Sequence, residues 1–518
     1  MFKVLSKIEN IIFLLSLFVI IILNIYGSIF MLASYWPCLD KNMLIPFLIS
    51  LLLIVSLIYL HNKTNISKKK VLIISLIITF ISISFRLYLN KSFNPYPTSD
   101  QWQMLSGLNT LINENDFSPL DKYRYFGIYP HIALLYFPYY FPIKLFGYNA
   151  APYYNLNAFL IVISFILLSL SIKNIKGLKE GFFTYLFLNL FIPSYFLDFV
   201  IYGDVVSLLF ISSALYILSL KFNDFIKLAF VSICIGFSYL GRTNSIVWII
   251  ALIIVLILYT IKPLNTVLAI AITSICFFSP KLLTETFLNS KANNNIYEHS
   301  LPTSSWIYTG TGYSIPGDAG IYNPFGLDTL FDNDCDPDKT DIIIKEAIKD
   351  NLSDLSNPKS MALFLKRKNE NTWCDPDFES MGFVMPNSGY VVEQFVQEGY
   401  RIPVGTAQED ATYTNELGNF VYNNFMTIRF IEKIYLFVIL IIPFVASIIR
   451  IKNNEYTKHS LFLQLNFVGF FLLQLFIETK PRYVLISFIL MIVLAAHELS
   501  YISNVFGKSY KNRCHIEE

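Results

Sequence analysis

Charged side chains are scarce in this chain: they make up 15% of its 518 residues, and the formal net charge is only +2. The lysines are dispersed among short polar stretches and do not line one face, so no basic surface for a polyanion is indicated. This pattern argues against nucleic acid as a partner.

Cysteine is also sparse, with six residues, no C-x-x-C spacing and no Cys/His pattern that would build a zinc site. Cys335 and Cys374 each lie in a C-D-P-D string within a long polar segment. If that segment faces an oxidising compartment, a disulfide and two free thiols are both compatible with the sequence. Metal ligation by sulfur is not expected.

What the chain has instead is apolar sequence: 54% of its residues are hydrophobic, and the mean hydropathy is +0.52. Several runs reach the roughly 18 to 20 residues that cross a bilayer as a helix, whereas long segments of alternating polarity are lacking. We therefore predict an all-α polytopic membrane bundle of about 12 transmembrane helices. The predicted spans cover residues 9–34, 43–61, 71–90, 154–172, 182–200, 205–220, 228–241, 244–261, 266–283, 430–449, 461–478 and 483–499.

The distribution of basic residues predicts the orientation of this bundle. With the N-terminus in the cytoplasm, the short connections rich in Lys and Arg all fall on the cytoplasmic side, as the positive-inside rule requires. The chain then divides into N-terminal spans, an extracytoplasmic loop, a central bundle, an extracytoplasmic domain, and C-terminal spans with a cytoplasmic tail. These segments cover 1–90, 91–153, 154–283, 284–429 and 430–518. We expect a multi-pass protein of the cell membrane with both termini in the cytoplasm.

The topology depends on how the apolar stretch from Tyr129 to Phe146 is interpreted. Its prolines and tyrosines suit a helix at the membrane interface better than a span, and counting it as a span would place Lys173, Lys176 and Lys179 outside. Residues 99–114 carry apolar side chains at helical spacing. We therefore predict two juxtamembrane helices in the first outer loop, and a small, loop-rich domain in the second outer segment with one helix from Asp341 to Leu355.

Short polar motifs follow one another on the predicted outer side. They are P-T-S-D-Q-W at 97–102, Y-P-H at 129–131, K-L-F-G at 144–147, Y-G-D-V-V-S-L-L-F at 202–210, G-R-T-N at 241–244 and E-T-K-P-R-Y at 478–483. In this order they resemble the outer loops of the GT-C superfamily of membrane glycosyltransferases, which includes polyprenyl-phosphate-dependent protein mannosyltransferases and lipid A aminoarabinose transferases. The resemblance implies a GT-C-like fold, with the acidic residue after the outward-going helix as the catalytic carboxylate. That residue is Asp100.

The chemistry of glycosyl transfer assigns expected roles to the remaining residues. A carboxylate must accept the proton of the acceptor hydroxyl, which is the role expected of Asp100. Cations must stabilise the departing phosphate, and Arg242, Lys480 and Arg482 are the candidates. As supporting or acceptor-binding residues we expect Asp204, Glu478, Tyr129 and His131. Each also has a plainer interpretation: Asp100 as a helix cap, the cations as interfacial anchors, Glu478 with Lys480 as a solvated pair, and Tyr129 with His131 as packing residues.

The sequence thus predicts transfer of a sugar from a polyprenyl-phosphate donor to an acceptor hydroxyl on the outer face of the membrane. The abundance of Ile, Asn and Lys favours a bacterial carrier such as undecaprenyl phosphate, and the acceptor can be a glycan, a glycolipid or a protein. No cofactor or metal site is predicted, although a divalent metal is not excluded: D-N-D-C-D-P-D at 332–338 begins like a calcium loop but lacks its later glycine and glutamate. A polytopic transporter or lipid-linked sugar flippase is the alternative.

Overall fold

The structure is a computed structural model of a mainly helical chain. It describes residues 2–26, 44–64, 67–95, 97, 99–259, 263–313, 319–384, 396–397, 400–401, 420–421, 423–455 and 458–514. Lys262, in one of the short connections predicted to be cytoplasmic, and most of the predicted outer domain between 385 and 419 therefore lie outside the described residues.

The N-terminal and central helices follow the predicted apolar runs. Their bounds are Phe2–Tyr26 (α1), Leu44–Lys63 (α2), Lys68–Phe93 (α3), Ala150–Lys176 (α8), Leu178–Leu190 (α9), Pro193–Phe196 (α10), Gly203–Ser219 (α11), Asp224–Gly241 (α12), Ile246–Tyr259 (α13) and Pro263–Ala292 (α14). The two outer segments contain Ser99–Asn109 (α4), Tyr125–Ile128 (α5), Pro130–Ala133 (α6), Tyr136–Phe146 (α7), Ser304–Thr311 (α15), Phe325–Asp332 (α16), Pro337–Asp354 (α17) and Pro358–Trp373 (α18). Two-residue strands Val396–Gln397 (β1) and Tyr400–Arg401 (β2) pair antiparallel. The C-terminal helices are Phe425–Asn453 (α19), Lys458–Gln474 (α20) and Leu485–Cys514 (α21).

Eight of the described helices are long and apolar enough to cross a membrane. A ninth crossing is formed if α9 and the turn of helix after it count as one span, bent by 63° at Pro193. Proline causes this break because it lacks an N–H donor and its ring clashes with the preceding turn. The protein is thus a multi-pass helical membrane protein, and α11, α13 and α20 are shorter apolar helices. Helix α21 lies at the centre of the bundle, because 94% of the residues in its most apolar stretch are buried within the protein.

The first outer segment has the predicted helices. Helix α4 continues through a π-helical turn at Thr110–Glu114, which matches the predicted helix over 99–114. The stretch from Tyr129 to Phe146 forms the short helices α6 and α7 and is not among the eight long ones. Leu105, Leu108 and Ile112 pack into the same buried cluster as α7 and α12, so the apolar spacing read from sequence is the packed face of this segment.

One expectation for the second outer segment is wrong. The segment is not loop-rich between 304 and 373, where α15 to α18 account for most of the chain. Helix α14, before it, continues to Ala292, past the predicted end of its span at 283. Asp336 and Asn357, each followed by a proline, are helix caps: Asp336 accepts from the N–H groups of Asp338 and Lys339, and Asn357 accepts from that of Lys359. Proline suits the first position of a helix because that N–H has no partner in any case.

The helices divide the polar connections between two ends of the bundle. At one end α3, α12 and α20 finish and α11 begins, and we call this the site end. At the other end, Lys179 donates to the His61 carbonyl, and Ser500 donates to Glu180 at 3.0 Å. All sequence-predicted site residues lie at the site end, away from the lysine-rich connections.

Candidate functional site

Two glycines bring the start of α11 against the end of α12. A Cβ atom on Gly241 would lie 2.5 Å from the carbonyl oxygen of Gly203, so only glycine permits this approach of the two backbones. The next residue after each glycine is charged: Asp204 follows Gly203, and Arg242 follows Gly241. The motifs Y-G-D and G-R-T-N are therefore two halves of one structural feature.

Asp204 and Arg242 form a two-point ion pair at this crossing. Nε of Arg242 donates to Oδ1 of Asp204 at 2.7 Å, and Nη2 donates to Oδ2. The Asp204 side chain is buried and that of Arg242 is 16% exposed. Burial opposes the charge of Arg242, but Asp204 and nearby tyrosines hold the arginine pKa above its ordinary value. The arrangement fixes the guanidinium at the site end with one edge engaged.

The loop after α20 adds two more cations, Lys480 and Arg482. Nζ of Lys480 lies 3.0 Å from Oε1 of Glu478, and the Tyr483 hydroxyl donates to Oε2 of Glu478 at 3.1 Å. Glu478 is buried, so its pair with Lys480 is not the solvated surface pair that the sequence left open. Tyr483 also lies under Arg242, whose guanidinium carbon is 5.6 Å from the ring centroid. Residues 204, 242 and 478–483 are thus one connected group.

The helical outer domain holds this loop in place through Lys368, which sequence reasoning missed. Lys368 lies in α18 with its side chain buried, and its Nζ donates to the Ile477 carbonyl at 2.7 Å and to the Gly310 carbonyl. The Thr479 N–H donates to the Gly320 carbonyl at 2.6 Å. Burial lowers the pKa of Lys368 to about 7, partly offset by Glu478. One lysine of the K-R-K run at 366–368 in a polar helix gives no sequence signal for such a long-range contact.

Asp100 stands exposed at the first turn of α4. The neighbouring Gln101 anchors this turn, because its Oε1 accepts the Ile201 N–H at 2.6 Å. Burial raises the pKa of Tyr202, and the Asp100 carboxylate is the next largest cause. The Tyr202 ring in turn lies 4.9 Å from the Arg242 guanidinium and 5.8 Å from that of Arg482. Tyr202 is therefore close both to the exposed carboxylate and to two of the cations.

Tyr129 and His131 pack against Trp306 of the outer domain. The three ring centroids are 6.2 to 6.3 Å apart. Burial, and then the positive charge of Arg242, lower the pKa of His131 to about 4, so this imidazole is neutral at pH 7. Burial raises the pKa of Tyr129, with Asp100 among the further causes. The side chains of Tyr129 and His131 therefore lie next to the group formed by residues 204, 242 and 478–483. Trp306, which both rings contact, lies in helix α15.

A second carboxylate, that of Glu379, lies near the cations Lys480 and Arg482. Glu379 lies two residues after the C-D-P-D string at 374–377. Burial raises the pKa of Glu379 to about 7, and Lys480 and Arg482 act in the opposite direction. Glu379 and the preceding Phe378 both have positive φ, 57° and 55°, a conformation that costs free energy for residues other than glycine. Of the two alternatives that the sequence left open for Cys335 and Cys374, a disulfide or two free thiols, the structure has the free thiols.

The acidic string at 332–338 is used within the fold. Asp334 lies 2.5 Å from Nζ of Lys122 and accepts from the Tyr123 hydroxyl, while Asp336 caps α17. Within the described ranges no group of three or more His, Cys, Asp or Glu side chains is arranged to hold a metal ion.

Comparison with known proteins does not assign the chain to a family. No family model, curated protein or solved structure matches it. The geometry of the site end and the chemistry of its side chains therefore carry the functional argument.

Proposed function

We propose that the protein is a GT-C-like glycosyltransferase that takes a sugar from a polyprenyl-phosphate donor at the site end of the bundle. In this proposal the site end faces away from the cytoplasm. In this proposal the shorter apolar helices α11, α13 and α20 also cross the membrane, which together with the eight long helices and the bent α9 segment would give about 12 crossings. The acceptor is a hydroxyl of a cell-envelope glycan, glycolipid or protein.

One observation carries the proposal. Segments far apart in sequence bring the exposed carboxylate of Asp100 and the cations Arg242 and Arg482 to the same end of the bundle, around Tyr202. The Asp100 charge acts on the Tyr202 hydroxyl, and the two guanidinium groups lie 4.9 and 5.8 Å from the Tyr202 ring. A carboxylate open to the acceptor and cations open to a phosphate are the two requirements of this transfer. The polyprenyl phosphate lies at headgroup level, where the ends of spanning helices and interfacial aromatic rings also lie.

The residues act in a single displacement. The acceptor oxygen attacks the anomeric carbon and the bond from that carbon to the phosphate oxygen breaks, so the configuration inverts. Asp100 accepts the hydroxyl proton, and the electron pair of the broken bond leaves on the phosphate. Arg242 and Arg482 stabilise the negative charge of the leaving phosphate by charge-assisted hydrogen bonds. No cofactor is required for this sequence of events, and a divalent metal is compatible with it.

Acidic partners hold two of the cations in fixed positions. Asp204 holds Arg242 at two points, and Glu478 holds Lys480. Such preorganisation matters because charges that do not need to reorient stabilise a transition state more effectively. In the proposed site Tyr129 and the neutral His131 contact the acceptor.

Analysis of cell-envelope glycans tests the proposal. We expect deletion of the gene to remove one sugar substituent, wild-type protein to restore it, and Asp100→Asn to fail. Asp121→Asn is the matched control, since Asp121 is exposed in the same outer segment, and it should restore the substituent. Normal glycans in cells whose only copy is a correctly inserted Asp100→Asn protein would overturn the proposal. Transport of a lipid-linked sugar without its transfer would favour the flippase alternative.

A further inference from the structure

An apolar cavity of about 290 Å³ opens between α2, α9 and α19. Leu53, Leu190 and Ile431 form its mouth, and these side chains are 43 to 55% exposed on the perimeter of the bundle. Because the perimeter of a membrane protein faces hydrocarbon, the cavity opens sideways to lipid. Along α19 it extends from Glu432 to Ile439, a rise of about 10 Å.

A buried carboxylate lies at the site-end limit of this cavity. Glu432 is 3% exposed, and neither of its carboxylate oxygens has a hydrogen-bond partner. An unpaired buried carboxylate is costly. Acidic residues inside a membrane domain mark functional sites more often than not.

The surroundings of Glu432 are acidic overall. Asp375 and Asp377 lie close to it, together with the cations Arg429 and Lys433. Arg429 already pairs with Asp375 at 2.6 Å, and Lys433 donates to the Asn24 side chain at 2.5 Å and the Cys374 carbonyl at 2.8 Å. Arg429 is thus paired with Asp375, and Lys433 donates to Asn24 and to the Cys374 carbonyl, so neither cation donates to Glu432. A protonated amine beside Glu432 would supply the partner that this carboxyl group lacks, whereas an anionic head group would not.

We propose that this cavity binds a single-chain lipid or lipid-like molecule with a protonated amine head, its chain in the cavity and its ammonium group against Glu432. The residues that line this cavity do not include Asp100, Arg242, Lys480 or Arg482 of the proposed donor site, whose cations would select a phosphate. The inference does not depend on glycosyl transfer.

Photolabelling of the full-length protein in phosphatidylcholine nanodiscs tests the inference. The probes are two octadecyl chains with the same mid-chain diazirine, one ending in a primary amine and one in a carboxylic acid. We expect the amine to label peptides containing Leu53–Leu57 or Ile431–Ile439 at least about tenfold more than the acid, equivalent to a factor of ten in affinity. Equal labelling by the two probes, or stronger labelling by the acid, would overturn the inference without recourse to any variant.

Three variants locate the interaction. Glu432→Gln should abolish the preference for the amine, because it removes the charge and keeps the side-chain size. Leu57→Trp should suppress labelling by either probe, because Leu57 lines the cavity, whereas Leu60→Trp on the exposed side of α2 should leave labelling unchanged. An unchanged preference in Glu432→Gln, or unchanged labelling in Leu57→Trp, would contradict the assignment.

Discussion

The ion pair between Asp204 and Arg242 offers a quantitative test of how the site end is built. Replacing Asp204 by Asn keeps the side-chain shape and removes the charge that faces Arg242 across two hydrogen bonds. Asp204 is buried and Arg242 only slightly exposed, and breaking a buried pair from one side costs roughly 3 to 5 kcal/mol. Because Arg242 retains some solvent, we expect a loss of about 3 kcal/mol.

A double-mutant cycle isolates the pair from other effects of the substitutions. Asp204→Asn, Arg242→Met and the double variant are compared with wild type by unfolding in mixed SDS micelles, followed by tryptophan fluorescence. We expect a coupling free energy of about 2 to 3 kcal/mol, since the double variant leaves no unpaired charge. The exposed pair Asp224 and Lys227, with Asp224 88% exposed, is the control and should show less than about 0.5 kcal/mol. Additive effects at positions 204 and 242 would refute the reasoning.

Two further predictions concern the shape and the pH dependence of the site end. In Gly241→Ala the new Cβ, 2.5 Å from the Gly203 carbonyl, should push α11 from α12 by about an ångström and lower transfer activity about 100-fold, measured as initial rate. His131 has a folded pKa of about 4, below its unfolded value of 6.5, so the folded state binds the proton more weakly. Stability is therefore full above pH 6.5 and falls as the pH drops towards 4, by up to about 3 kcal/mol. The melting temperature of His131→Gln should fall less over that interval.

Matched variants separate these effects from general damage. Gly382→Ala is the control for the glycine substitution, because nothing lies within 4 Å of a Cβ at that position, and it should retain activity. His299→Gln is the control for His131 and should keep the acid sensitivity of the wild type. A fully active Gly241→Ala protein, or a His131→Gln protein as acid-sensitive as wild type, would show that these contacts do not have the energetic roles assigned to them.

Sequence patterns were sufficient to predict features that depend on local periodicity. The helix over 99–114, and short helices instead of one long span between Tyr129 and Phe146, followed from apolar spacing and proline content. Charge asymmetry placed Asp100, Arg242 and Glu478 at one end, and the structure brings these segments together. Whether that end faces outward, and what it catalyses, stay predictions.

Contacts between distant segments could not be predicted in this way. Lys368 fixes the loop before Glu478 across more than a hundred residues, and Glu379 reaches the cations from a polar stretch with no periodic signal. The prediction of a loop-rich outer domain was wrong because Asp and Asn before proline, as at Asp336 and Asn357, can also cap helices, and here they do. Gly203 and Gly241 are needed because their two backbones approach each other closely. A single sequence does not reveal that these two glycines are in contact.

The most direct test of the central claim is sugar transfer by purified protein in liposomes that contain radiolabelled sugar linked to undecaprenyl phosphate, with an envelope extract as acceptor. The account predicts that wild type and Asp121→Asn release undecaprenyl phosphate and label the acceptor, while Asp100→Asn loses at least 100-fold in rate, the lower range for removal of a general base. Transfer by Asp100→Asn at the wild-type rate would contradict the claim.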